Sequence, residues 1–140
     1  MARLTRTLCV FTVLFLLAGP ATAGEFRAAA ARVDITPEGS EPLWGYSDRS
    51  GPATGTLDPL YAKVVVLDDQ ATRLALVTLD LGRAFNPDSM NVVRQRVKSS
   101  ANVEQVFFFA SHTHSGPVIS DTYPDGKPPK WEQHALTRIA

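Results

Sequence analysis

Two histidines one residue apart, His112 and His114, are the side chains of this sequence best suited to chemistry. They close an apolar run and precede Ser115, Gly116 and Pro117 in the stretch VFFFASHTHSGP. In an extended backbone, side chains at i and i+2 share one face, roughly 6.7 Å apart, so both imidazoles can address one centre. Neutral imidazole is a good ligand for Zn²⁺, but a zinc site takes three or four protein donors, so a His-x-His pair supplies half of one at most. Asp80 is placed by the reading below at the end of a neighbouring strand, where it could be a third donor or could orient a ligating imidazole. The bland alternative is that both rings hydrogen-bond locally, to the Thr113 and Ser115 hydroxyls and nearby backbone. Ser111 and Ser115 flank the pair, yet neither sits in the G-x-S-x-G turn that exposes a serine nucleophile. His134, in a polar helical segment, reads as a solvated surface residue.

The elements that must position these residues can be read from the pattern on either side. Val106 to Ala110 is a short apolar, aromatic run, which predicts a strand buried on both faces. The serine, glycine and proline after the histidines stop any regular element, so the pair marks a strand-to-loop junction. Leu60–Asp69 and Thr72–Leu81 are β-branched runs around the polar turn at Asp68, Asp69 and Gln70, and predict a hairpin. Asn86 is a good N-cap, Pro87 suits the first helical turn, and Met90, Val93 and Val97 share a face, which predicts a helix to about Ser100. A helix between two strands predicts a right-handed crossover with the strands parallel, and their carboxyl ends then lie on one edge, where open α/β sheets bind ligands. Phe26–Ile35 reads as a first strand, although its alanines would suit a helix equally. The segment 37–59 is crowded with Gly, Pro, Ser and Asp and predicts a long ordered loop, since Trp44 and Tyr46 argue against disorder. A further helix is expected after Pro129. The fold class expected is α/β, a mixed sheet with a hairpin and a β-α-β crossover. Because the last helix stops in mid-pattern, the chain reads as cut off at 140 and not completed.

Charge excludes one group of partners. The 140 residues carry 14 basic and 14 acidic side chains, so no net field recruits nucleic acid or an anionic membrane. At the N-terminus Arg3 and Arg6 precede an apolar run from Leu8 to Ala18, and Ala21, Thr22 and Ala23 form a small-x-small cleavage site. Eleven or so apolar residues are too few to span a bilayer, which needs about twenty. Residues 1–23 are therefore expected to be a signal peptide, removed between Ala23 and Gly24, and the protein to be secreted or periplasmic. Residues 24–140 would remain, without the one cysteine, Cys9, and so without any disulfide.

Taken together, ASHTHSGP, RVDITPEG, WGYSD and GTLDPLYAKVVVLDD followed by LALVTLDLG resemble the neutral/alkaline non-lysosomal ceramidase family, in order and spacing, across nearly all of the expected mature chain. The resemblance implies that residues 24–140 are the N-terminal fragment of a larger catalytic domain, that of a secreted, zinc-dependent amidohydrolase that cleaves N-acylsphingosine into sphingosine and a fatty acid. It implies that His112 ligates Zn²⁺, that His114 contacts the polar head of the substrate, and that the Gly45 backbone lies beside that head. The expected partner is a lipid or other small amide, with membrane contact only through the substrate. The family's remaining zinc ligands and its catalytic serine fall beyond the equivalent of Ala140, so no catalytic residue is assigned here and the chain alone is expected to be inactive. Leu57, where the family often has histidine, and the insertion YPDGKPPKWE point to a distant bacterial relative. Two other readings are a non-catalytic secreted binding domain and a secreted metallohydrolase acting on a different amide or ester.

Overall fold

A computed structural model describes residues 24–140; the signal peptide expected at 1–23 lies outside the described residues. Four strands form one sheet in the order β1-β2-β3-β4: β1 (Arg27–Asp34), β2 (Tyr61–Asp68), β3 (Arg73–Leu79) and β4 (Gln105–Ala110). The alanine run of β1 is a strand because it pairs antiparallel along all of β2, with Ala31 opposite Val64 and Val33 opposite Ala62. Tertiary pairing decides what propensity leaves open. The β2–β3 hairpin is antiparallel. Its turn is built by carboxylates: Asp68 accepts from the Gln70 N–H, Asp69 accepts from Ala71 and Thr72, and Gln70 takes a positive φ of 73°. Arg73 then pairs with Asp68 directly across the ladder at 2.7 Å, and the guanidinium beside it holds the Asp68 carboxyl below its ordinary range.

Helix α1 (Pro87–Ala101) connects β3 to β4, and those two strands are parallel, with Val77 beside Phe108 and Leu79 beside Ala110. Asn86 caps α1 by accepting from the Asp88 N–H at 2.9 Å, Pro87 follows, and Asn102 ends the helix in the left-handed conformation. Helix α2 (Lys130–Ile139) packs beside α1 and against β1. The α/β fold, the hairpin and the crossover are thus as the sequence implies.

Both helices lie over one face of the sheet. Ala62, Ala75, Val77, Leu79 and Val106 point into that layer and meet Val93 of α1, Ala135 and Leu136 of α2, and Phe85 and Trp131, whose rings are 6.3 Å apart. The expectation that β4 is buried on both faces is corrected here. Val106 is buried, but Phe107 and Phe109 are 46% and 51% exposed. The reason is that β4 is an edge strand and nothing among the described residues covers the face to which Phe107 and Phe109 point.

Candidate functional site

The site sits at the carboxyl edge of β3 and β4, where the chain leaves the sheet. Beyond Ala110 the Ser111 N–H bonds to the Leu79 carbonyl and the His112 N–H to the Leu81 carbonyl, so the parallel ladder guides the chain past the end of the strand. His112 then takes a φ of 63°. The left-handed region costs a β-carbon residue on the order of 1–3 kcal/mol and persists only where the surroundings fix it. Here two bonds do so: the backbone bond to Leu81 and a second one, 2.9 Å, between the ring Nδ1 and the Gly82 carbonyl. A carbonyl only accepts, so Nδ1 carries a proton, and in the neutral tautomer with that proton the lone pair is on Nε2. That is the tautomer a metal or a proton donor needs.

The imidazoles therefore come together by a turn and not by strand alternation. Their centroids are 5.3 Å apart and the planes cross at 66°. Trp44 bridges them edge-on, 4.9 Å from His112 and 5.0 Å from His114, and Tyr46 lies 4.9 Å from His114. The aromatic pair is delivered by the long loop, which is stitched to the histidine segment. Leu43 bridges Pro117, the Trp44 N–H reaches the Gly116 carbonyl at 2.9 Å, and the Val118 N–H reaches the Pro42 carbonyl at 2.8 Å. The base of the loop is closed by Ile35 and Thr36, which bond the Leu60 carbonyl and N–H.

Two glycines make this packing possible. A β-carbon on Gly82 would lie 2.2 Å from the Trp44 ring, and one on Gly45 would lie 2.4 Å from the His114 ring. Gly45 also has a φ of 113°, which β-carbon residues rarely adopt. The group that approaches the Gly45 backbone is thus the His114 imidazole.

Asp80 lies directly after β3, at the carboxyl edge. Its carboxylate accepts from Lys63 Nζ at 2.9 and 3.0 Å and from the Tyr61 N–H at 3.2 Å, and the orienting bond to His112 comes from the Gly82 carbonyl. A backbone carbonyl leaves no mark in a sequence, so no residue pattern could have pointed to Gly82. Trp44 could have been suspected, standing next to the glycine singled out. His134 is exposed, as expected of a surface residue.

The segment 111–115 has two sides. The histidines face Trp44 and Tyr46, while Ser111, Thr113 and Ser115 line an open cleft of about 1150 Å³ together with Thr36, Leu43 and Asp80. Among the described residues no three His, Cys, Asp or Glu side chains converge on a point where a metal ion could be held.

Solved structures resemble this fold. The chain superposes on neutral ceramidase from Pseudomonas aeruginosa with a TM-score of 0.67 and 27% identity, and on a ceramidase complexed with C2 with a TM-score of 0.65 and 26% identity. In both comparisons 83% of this chain is covered, and it spans about a fifth (20%) of the other. No protein-family model matches the chain, and no curated protein does. Over most of its described length the chain is therefore similar to a part of a neutral ceramidase, and its α/β architecture is that of the matching part.

Proposed function

We propose that this chain contributes the His-Thr-His corner of a secreted, zinc-dependent ceramidase-like amidohydrolase. The observation that carries the reading is the His112 ring, fixed through Nδ1 by the Gly82 carbonyl at the carboxyl edge of a sheet similar to that of a neutral ceramidase. His112 Nε2 is the donor that would hold the ion. Zinc bound there would polarise an amide carbonyl or lower the pKa of a water. One imidazole, or two with His114, falls short of the three or four donors zinc requires, so the rest of the set must come from polypeptide other than the described residues.

The chain's own residues do the positioning. Trp44 fixes the planes of both imidazoles, and the Leu81 and Gly82 carbonyls hold His112 in a conformation it would not adopt unaided. His114, held between Trp44 and Tyr46 and against the Gly45 backbone, is the residue that would hydrogen-bond the polar head of a substrate. The proposed substrate class is a lipid amide such as N-acylsphingosine, met at a membrane surface through the lipid itself.

Histidine NMR tests the assignment on the chain as it stands. Added Zn²⁺ is expected to perturb His112 at Nε2 while leaving its Nδ1–H bonded, and His112→Ala is expected to remove the response. Purified chain alone is expected to release no sphingosine from ceramide. In a longer polypeptide that supplies the other donors, His112→Ala should lower zinc content, and His114→Ala should keep the metal and reduce turnover. A zinc response confined to His134, or equal zinc content in all three longer proteins, would overturn the reading.

A further inference from the structure

The loop after the histidine segment ends in a cluster that the proposed chemistry does not use. Glu132, in the first turn of α2, is fully buried at 0% exposure. Its Oε1 accepts from the Tyr123 hydroxyl at 2.6 Å and from the Ser89 hydroxyl at 2.9 Å. Ser89 is buried in the first turn of α1, and its hydroxyl is 3.4 Å from that of Tyr123. Oε2 has no hydrogen-bond partner among the described residues. Three elements thus meet at one carboxyl group: α1, α2 and the loop that carries Tyr123.

A buried carboxylate with two neutral donors, no cation and a bare second oxygen is a costly arrangement, whereas a protonated carboxyl there leaves only one hydroxyl hydrogen unpaired. We propose that the Ser89–Tyr123–Glu132 cluster is a pH-sensitive clasp, which holds α2 and the 118–129 loop on the N-terminal turn of α1 while Glu132 keeps its proton and loosens when the proton is lost.

The surrounding charges do not offset the cost of ionisation. On the β3–α1 loop, Arg83 acts on Tyr123 but is committed to Asp121, which also accepts from Asn86 Nδ2 through its backbone carbonyl. Asp88 in the first turn of α1 adds negative charge, Lys130 begins α2, and at the far end of α2 Arg138 is opposed by Asp34 of β1. The N-termini of α1 and α2 favour an anion at this place, yet neither puts an N–H on Oε2. Burial outweighs the two hydroxyl bonds and raises the Glu132 carboxyl above its ordinary value of 4.5. Burial likewise pushes the Tyr123 hydroxyl up to about 12, so it stays a donor throughout.

The direction follows from linkage. With a folded value above the unfolded one, the clasp is whole below about pH 4.5. It weakens as pH rises toward the folded value, the opening equilibrium growing about tenfold per pH unit within that window. Hydrogen exchange of α2 amides from pH 4.5 to 8, corrected for intrinsic rates, reads this on the full chain. Protection of α2 is expected to fall through that window relative to β2 and β3. In Glu132→Gln, which cannot ionise, the fall should be absent and α2 should stay protected at pH 8. Should that variant fail to fold, a carbon-13 titration of the wild-type Glu132 carboxyl decides, with a midpoint above 4.5 expected. A midpoint at or below 4.5, flat α2 protection in the wild type, or the same fall in Glu132→Gln would overturn the clasp.

Discussion

The two faces of the sheet are made of the same kinds of residue and behave differently. On the covered face Val77 and Val106 are 2% and 7% exposed beneath α1 and α2. On the open face Val65, Phe107 and Phe109 are 38%, 46% and 51% exposed, and Leu74 and Leu76 are half-buried at best. A β-branched or aromatic side chain selects a strand; whether it is buried depends on what is laid over the strand. The crossover puts α1 on one side only, and α2 packs beside it, so the described residues cover one face. The chain spans about a fifth of the neutral ceramidase it resembles, and among the described residues nothing covers its apolar second face.

The comparison can be broken where its contrast should be steepest. Phe85, 1% exposed, is among the largest fully buried side chains and packs on Trp131 between the sheet and α2. Phe85→Ala is expected to lower stability by about 3–5 kcal/mol, from lost transfer energy and the cavity left behind. Chemical denaturation with an unchanged slope would measure it. A loss below about 1 kcal/mol would mean that the helical layer is not the real core.

A matched pair sharpens the contrast at smaller scale. Val77 and Val65 are the same residue on adjacent strands, Val77 standing opposite Val64 and Val65 opposite Leu76. Backbone, propensity and size are alike, so only the covering differs. Val77→Ala should cost about 1.5–3 kcal/mol, the order of a buried valine side chain, and Val65→Ala about 0.5 kcal/mol or less. Equal losses at the two positions would put the difference between the faces down to something other than burial.

How far the sequence could be read follows the same division between local and non-local causes. The hairpin was legible because Asp68 and Asp69 build its turn from their own side chains, and the crossover because Asn86 and Pro87 start a helix whose apolar face repeats at Met90, Val93 and Val97. The histidine pair was legible as a junction, since Ser115, Gly116 and Pro117 follow it. Features that depend on distant backbone were not legible: the Gly82 carbonyl that sets the His112 tautomer, the left-handed φ of His112, and the commitment of Asp80 to Lys63. The burial of Glu132 was hidden for a related reason. A glutamate in the first turn of a helix reads as solvated, and only the return of Tyr123 and Ser89 to the same place encloses it.

The smallest effect is the most informative about the open face. Phe109 stands beside Thr78, itself exposed, and projects from the edge strand away from both helices. Phe109→Thr puts a β-branched residue, which suits a strand, in place of an aromatic ring that is half in water already, so stability should change by no more than about 0.5 kcal/mol. The side effect should lie elsewhere: Val106 to Ala110 carries no charge and no proline, and such a segment on an edge favours self-association. The variant should therefore stay in solution at higher concentration than the parent, as sedimentation at several loadings would record. If the substitution instead costs about 2 kcal/mol or more, and the parent's midpoint rises with protein concentration, a second copy covers this face, because only an associating protein gains stability by mass action. The two faces would then differ in which chain covers them and not in whether they are covered.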